Sequence, residues 1–120
     1  MFIKKIVSFL LSLFMIIAGI GHFINPEMYN PFIPDFLPKL AVNYITGIVE
    51  IALGIGLLIP AFQKMAAFGI FLLMCAFLPL HIIDVFIENP AIGSKTMAYI
   101  RLPIQFVFIA WPLWIWKSKK

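Results

Sequence analysis

Six side chains in this sequence carry polar chemistry into an apolar surround: His22, Glu50, His81, Asp84, Arg101 and Gln105. Glu50 is the extreme case, because the run from Ile45 to Pro60 holds no other charge. If that run crosses a bilayer, Glu50 lies near the midplane, where insertion scales set the cost of a comparable acidic residue at about 2.5 to 3.5 kcal/mol. Such a group needs a partner or a proton. Thr46 and Gly54 stand one helical turn to either side of Glu50 and Gly47 lies on the same face, so this face is small enough for another helix to approach closely.

At about 1.5 Å per residue, His22, His81, Asp84 and Arg101 fall in the outer quarter or so of a membrane, with Gln105 a little deeper. Arg101 is the only arginine. An economical arrangement is a polar pocket opening outward, with Arg101 as its cation and Glu50 or Asp84 as counter-ion, because ionisable side chains in lipid turn into the bundle. Packing alone is the competing explanation: the same groups could fix helix contacts, with Asp84, Glu88 and Arg101 reaching the headgroups by snorkelling. Two histidines on different helices could ligate a haem. Without carboxylates at ligand spacing they form no metal signature, so haem is disfavoured and no metal or catalytic residue is assigned.

Composition decides the class. The chain has 120 residues, is 63% hydrophobic and only 12% charged, with a mean hydropathy of +1.07. Soluble domains are roughly half apolar and a quarter charged. The apolar material divides into four runs of about 19 to 23 residues, each long enough to span about 30 Å of hydrocarbon. The net charge of +4 does not point to nucleic acid, since Lys4, Lys5, Lys117, Lys119 and Lys120 sit at the two tips of the chain. The single cysteine, Cys75, lies inside an apolar run and reads as a small buried hydrophobe, which leaves no dithiol pair.

The expected fold is therefore all-α, a single domain of four transmembrane helices over residues 6–24, 41–60, 65–87 and 98–116. A signal peptide is conceivable from Lys4-Lys5 and the small residues at 18–21, but the apolar run continues to Phe23, which favours a retained helix. Residues 25–40 carry Pro26, Pro31, Pro34 and Pro38 and cannot form a continuous helix. Their Met28, Tyr29, Phe32, Ile33, Phe36 and Leu37 suggest a loop lying at the outer interface or folded over the bundle mouth, as a structural cap or as a lid. Pro79 should kink the third helix, and His81, Asp84 and Glu88 share a face beyond it. The fourth run ends in Trp111, Trp114 and Trp116, an aromatic belt before a basic tail. Six lysines at the tips and at position 64, against Lys39 and Lys95 in the other loops, predict that both termini are cytoplasmic.

The order Ala18-Gly19-Ile20-Gly21-His22-Phe23 with Pro26, then Pro34 and Leu37-Pro38, then Gly47 through Glu50 to Gly56-Leu57-Leu58-Ile59-Pro60, and finally Arg101-Leu102-Pro103-Ile104-Gln105, resembles the DoxX-like family of small bacterial membrane proteins. The match covers almost the whole chain and rests on order and spacing. The resemblance implies a four-helix protein of the bacterial cytoplasmic membrane, with some relatives associated with quinone-linked or thiol-linked oxidoreductases. On that pattern His22, Glu50, Arg101 and Gln105 match characteristic polar positions. His81 departs from it, standing where such proteins are expected to carry an asparagine.

The functional expectation is an accessory subunit without catalytic activity of its own, binding a quinone-like or other small amphipathic molecule beside a redox-enzyme partner in the bilayer, with self-association open. Glu50 would carry or exchange a proton, and Arg101 and Gln105 would orient an oxygen-bearing ligand. Two alternatives come from other classes. One is a small proton-coupled multidrug exporter, in which the membrane glutamate is expected on the first helix rather than the second. The other is a structural or assembly protein whose polar cluster is packing glue.

Overall fold

A computed structural model of the chain describes residues 2–118, and Lys119 and Lys120 of the basic tail lie outside the described residues. The described residues form four helices, α1 (Phe2–Ile24), α2 (Lys39–Leu58), α3 (Gln63–Phe86) and α4 (Lys95–Lys117), with two short 3-10 turns, Pro26–Met28 and Asn30–Phe32, between α1 and α2. All four helices are long and apolar enough to cross a membrane. The molecule measures 45 × 27 × 19 Å, and its long axis matches the roughly 40–45 Å of a bilayer with its headgroups. The chain reads as a multi-pass membrane protein.

Each helix buries one stripe and leaves the rest of its apolar surface outside. In α1 the stripe is Lys4, Ser8, Leu11, Ser12, Met15, Gly19 and His22, and in α2 it is Asn43, Gly47, Glu50, Gly54 and Leu57. The α2 residues step by four and three, the repeat of a helix packed along a single seam. α4 buries Ala98, Gln105 and Pro112 at intervals of seven. The outward faces are large hydrophobics such as Ile17, Ile48, Leu72 and Phe106, a distribution suited to lipid rather than water.

The end of α1 falls at the expected residue 24, and the other seven helix ends depart from the sequence expectation by one to four residues, for local reasons. α1 starts at Phe2 because Lys4 is already buried in phase with Ser8 and Leu11. α2 begins directly after Pro38 and stops at Leu58, since Ile59 precedes Pro60 and is pushed to extended backbone, φ −102° and ψ 115°. The turn to α3 is closed by the Gln63 side-chain amide, which donates to the Leu57 carbonyl at 3.1 Å. α4 begins at Lys95 because Ser94 caps it, its hydroxyl accepting the Met97 N–H at 3.1 Å. α3 runs through Pro79 as one helix, and Glu88 lies beyond its end, exposed.

α1 packs most extensively on α2 and α3 on α4, while the two hairpins meet mainly through α2 and α3. The first hairpin is close because both partners lack side chains: a Cβ on Gly19 would stand 2.7 Å from the Gly47 carbonyl oxygen, and one on Gly47 would stand 2.8 Å from that of Gly19. Two turns further along the seam, Ser12 donates its hydroxyl to the Gly54 carbonyl at 2.6 Å. Between the hairpins, the Trp111 indole N–H donates to the Val7 carbonyl at 3.1 Å and Phe14 stacks on Phe108 with centroids 4.5 Å apart. The dry core, built on Leu11, Met15, Leu57, Ala67, Ile70 and Ile115, lies toward the end of the bundle that carries the termini. The polar residues gather toward the other end.

Candidate functional site

His22 sits two residues before the end of α1, and Glu50 about half-way along α2. Side chains on a helix lean toward its N-terminus. In an antiparallel pair those leanings converge, so a histidine near the end of α1 and a glutamate deep in α2 point toward each other. His22 Nε2 lies 3.5 Å from Glu50 Oε1. That is close enough for charge attraction, but Glu50 Oε1 has no hydrogen-bond partner. Both side chains are buried, Glu50 with 4% of its surface exposed.

The other ring nitrogen of His22 is held firmly. His22 Nδ1 and Asn43 Oδ1 are 2.8 Å apart, and the Asn43 amide NH2 donates to Asn30 Oδ1 at 2.9 Å and to the Lys39 carbonyl at 3.1 Å. With Asn43 Oδ1 as acceptor, the Nδ1 nitrogen carries the proton, which leaves Nε2 of a neutral ring as an acceptor facing Glu50. A proton shared between Nε2 and the carboxyl group then decides whether this contact is a charged pair or a neutral one. Tyr29, on the segment between α1 and α2, covers the imidazole face with ring centroids 3.7 Å apart. Burial, and secondly the nearby Glu50 charge, raises the Tyr29 phenol above its ordinary range.

The second polar group is carried by α3 and α4. Gln105 is fully buried and its NH2 donates to the Met74 carbonyl at 2.7 Å. Met74 lies beside Cys75, whose carbonyl loses its helical donor to Pro79. Arg101 extends two turns along its own helix, with its guanidinium carbon 5.1 Å from the centroid of the Phe108 ring, a cation–π contact. His81 is buried and meets the edge of Phe32, reaching from the segment between α1 and α2, at 5.5 Å. Asp84 accepts the Ala91 and Ile92 N–H groups at 2.6 and 3.0 Å. Its carboxylate organises the turn between α3 and α4, where Lys95 also donates to the Val85 carbonyl at 2.8 Å.

The expected ion pair is therefore corrected. Neither Glu50 nor Asp84 lies within 4 Å of the Arg101 guanidinium; among the described residues Glu50 pairs with His22 and Asp84 is occupied by backbone amides. Arg101 does reach along the bundle, but to an aromatic face. Among the described residues no group of three or more His, Cys, Asp and Glu side chains is placed to hold a metal ion. The expectation missed Asn43, Asn30 and Ser12, and it treated Tyr29 only as loop surface. Asn43 had a legible signal: it lies seven residues before Glu50, on the same face of the same helix.

Among the described residues, four of the five buried side-chain polar atoms without hydrogen-bond partners belong to these residues: Glu50 Oε1, His81 Nδ1, Arg101 Nη1 and Gln105 Oε1; the fifth, Ser8 Oγ, lies toward the end that carries the termini. The four come from α2, α3 and α4. They comprise a carboxyl oxygen, an imidazole nitrogen, a guanidinium donor and an amide acceptor, donor and acceptor types that pair with a carbonyl oxygen and a hydroxyl group respectively.

Residues 11–116 match the family model described as domain of unknown function DUF8561. The chain belongs to this family. The match runs from the middle of α1 to the last turn of α4, so all the polar residues of both groups fall within it. No curated protein and no solved structure matches the chain.

Proposed function

We propose that this chain is a DoxX-like subunit of a membrane redox system, which binds a quinone-like amphipathic molecule through the polar residues of α2, α3 and α4. The observation that carries this reading is the set of four unpartnered buried polar atoms. A buried donor or acceptor left unpaired costs about 1–3 kcal/mol, and four in a small bundle oppose stability unless something else compensates. An oxygen-bearing ring answers that cost: its carbonyl accepts from Arg101, its hydroxyl form donates to Gln105 or Glu50, and its apolar tail lies among the outward-facing hydrophobics. Glu50 and His22, sharing a proton, supply or take up the proton that accompanies reduction or oxidation of such a ring by a partner enzyme. On this reading the protein lies in a bacterial cytoplasmic membrane, with both termini on the cytoplasmic side and the segment between α1 and α2 outside.

A packing role is the second reading, favoured by Asn43 and Asp84, whose hydrogen bonds are satisfied within the chain. Binding separates the two. Purified protein in lipid nanodiscs should take up decylubiquinone saturably above empty discs. Arg101→Gln and Glu50→Gln should each weaken that uptake about tenfold, equivalent to about 1.4 kcal/mol, while thermal unfolding still shows a folded bundle. Uptake no greater than that of empty discs would sink the ligand reading and leave the packing one.

A further inference from the structure

The end of the bundle that carries the termini has an opposite character. A groove of about 640 Å³ opens there between the start of α1 and the α2–α3 turn, lined by Lys4, Lys5, Ser8, Phe9, Leu58 and Lys64 among others. Its mouth is basic and its wall is apolar. All five acidic residues of the chain, Glu27, Asp35, Glu50, Asp84 and Glu88, lie elsewhere, in α2 or toward the opposite end. At that opposite end the lysines are engaged: Lys39 pairs with Asp35 at 3.1 Å and Lys95 donates to a carbonyl. Lys5 and Lys64 are exposed and form no ion pair among the described residues. Behind them Ser8, 2% exposed, lines the groove with a hydroxyl oxygen that has no hydrogen-bond partner.

We infer that this groove is a binding site for one anionic glycerophospholipid of the adjacent leaflet. The phosphate sits between the Lys5 and Lys64 ammonium groups, the Ser8 hydroxyl donates to a phosphate or ester oxygen, and the first methylenes of an acyl chain run along Phe9 and Leu58. Two separate observations point to the same ligand. Lys5 and Lys64 form no ion pair among the described residues and no acidic side chain lies at their end of the bundle to compete with an outside anion, and a buried hydroxyl faces the groove without an acceptor. The groove belongs to the ends of spanning helices, at the height of lipid headgroups, which selects a lipid phosphate over a soluble anion. This site is remote from the Glu50 residues and independent of the ligand proposed there.

The test uses the full chain in a neutral detergent, titrated with short-chain phosphatidylglycerol, with phosphatidylcholine of the same chains, and with inorganic phosphate, while following the thermal unfolding temperature. Phosphatidylglycerol should raise that temperature saturably, the other two should not, and 0.5 M NaCl, which shortens the screening length about twofold from physiological salt, should weaken the effect. Lys5→Gln with Lys64→Gln should reduce the apparent affinity roughly 30-fold, on the scale expected for two surface lysines, and Ser8→Ala should reduce it several-fold. Far-UV circular dichroism of the variants checks that the helices persist. An equal shift with phosphatidylcholine, an equal shift with inorganic phosphate, or an unchanged affinity in the double lysine variant would each overturn the inference.

Discussion

His22 shows how little freedom the first polar group has. One nitrogen is committed to Asn43, a face is covered by Tyr29, and the remaining nitrogen faces Glu50. A double-mutant cycle should therefore find coupling in unfolding free energy of about 1 kcal/mol between His22→Gln and Glu50→Gln, within the usual range for residues in contact. Glu50→Gln with Arg101→Gln should instead be additive to within about 0.5 kcal/mol. Strong coupling in the second cycle would restore the Arg101–Glu50 pair. Tyr29 gives a pH-dependent readout. Its folded-state phenol ionises above its ordinary value of about 10, so the stability it lends is complete below that value and is lost as pH rises through the higher, folded value. Tyr29→Phe should accordingly flatten the alkaline loss of stability, and an ultraviolet difference titration against that variant should show a tyrosine ionising late. A tyrosine titrating normally in that difference would refute the burial of its ring against His22.

At the scale of elements, the α1–α2 seam is set by backbone meeting backbone. Gly19→Ala would place its methyl group against the Gly47 carbonyl oxygen and the Ile51 side chain and N–H, and neither helix can yield without parting from the other. The cost should be about 1–3 kcal/mol, the range for overpacking. Gly69→Ala is the control: its methyl would meet the Leu53 side chain, whose tip at 2.8 Å can turn aside. Thermal unfolding in detergent should separate the two variants, and equal losses would mean that the close approach at Gly19 does not hold the hairpin together. The same seam explains what the sequence made legible. Gly47, Glu50 and Gly54 announced a buried face by type and spacing, because glycine and carboxylate are conspicuous in an apolar run. Which helix covers that face was not legible, since Arg101 looked the natural partner by charge whereas the geometry of adjacent antiparallel helices delivers His22. Asp84 misled for a related reason: its amide partners, Ala91 and Ile92, are backbone groups and carry no mark in the sequence.

For the whole molecule, four spans could be counted from apolar length alone, and their number survives in the structure while their ends moved to meet Pro60, Ser94 and Lys4. His22, His81, Asp84 and Arg101 lie in the half of the bundle away from the termini and Glu50 about half-way along α2, positions that follow from counting residues along a helix. The division into two hairpins was not readable, since a short turn such as 59–62 implies adjacency but says nothing of how tightly neighbours pack. That division has a consequence for biogenesis. The α1–α2 and α3–α4 pairs each close most of their own contacts, so each can enter the bilayer as a finished unit and dock afterwards through Trp111 on Val7 and Phe14 on Phe108. A gene severed between the codons for Ala61 and Phe62 should then still give a working protein: the two fragments, made separately in one cell, should co-purify through an affinity tag on either. Trp111→Ala should weaken that reunion while leaving each fragment in the membrane, and fragments that never associate would mean that the hairpins must be threaded together as a single chain.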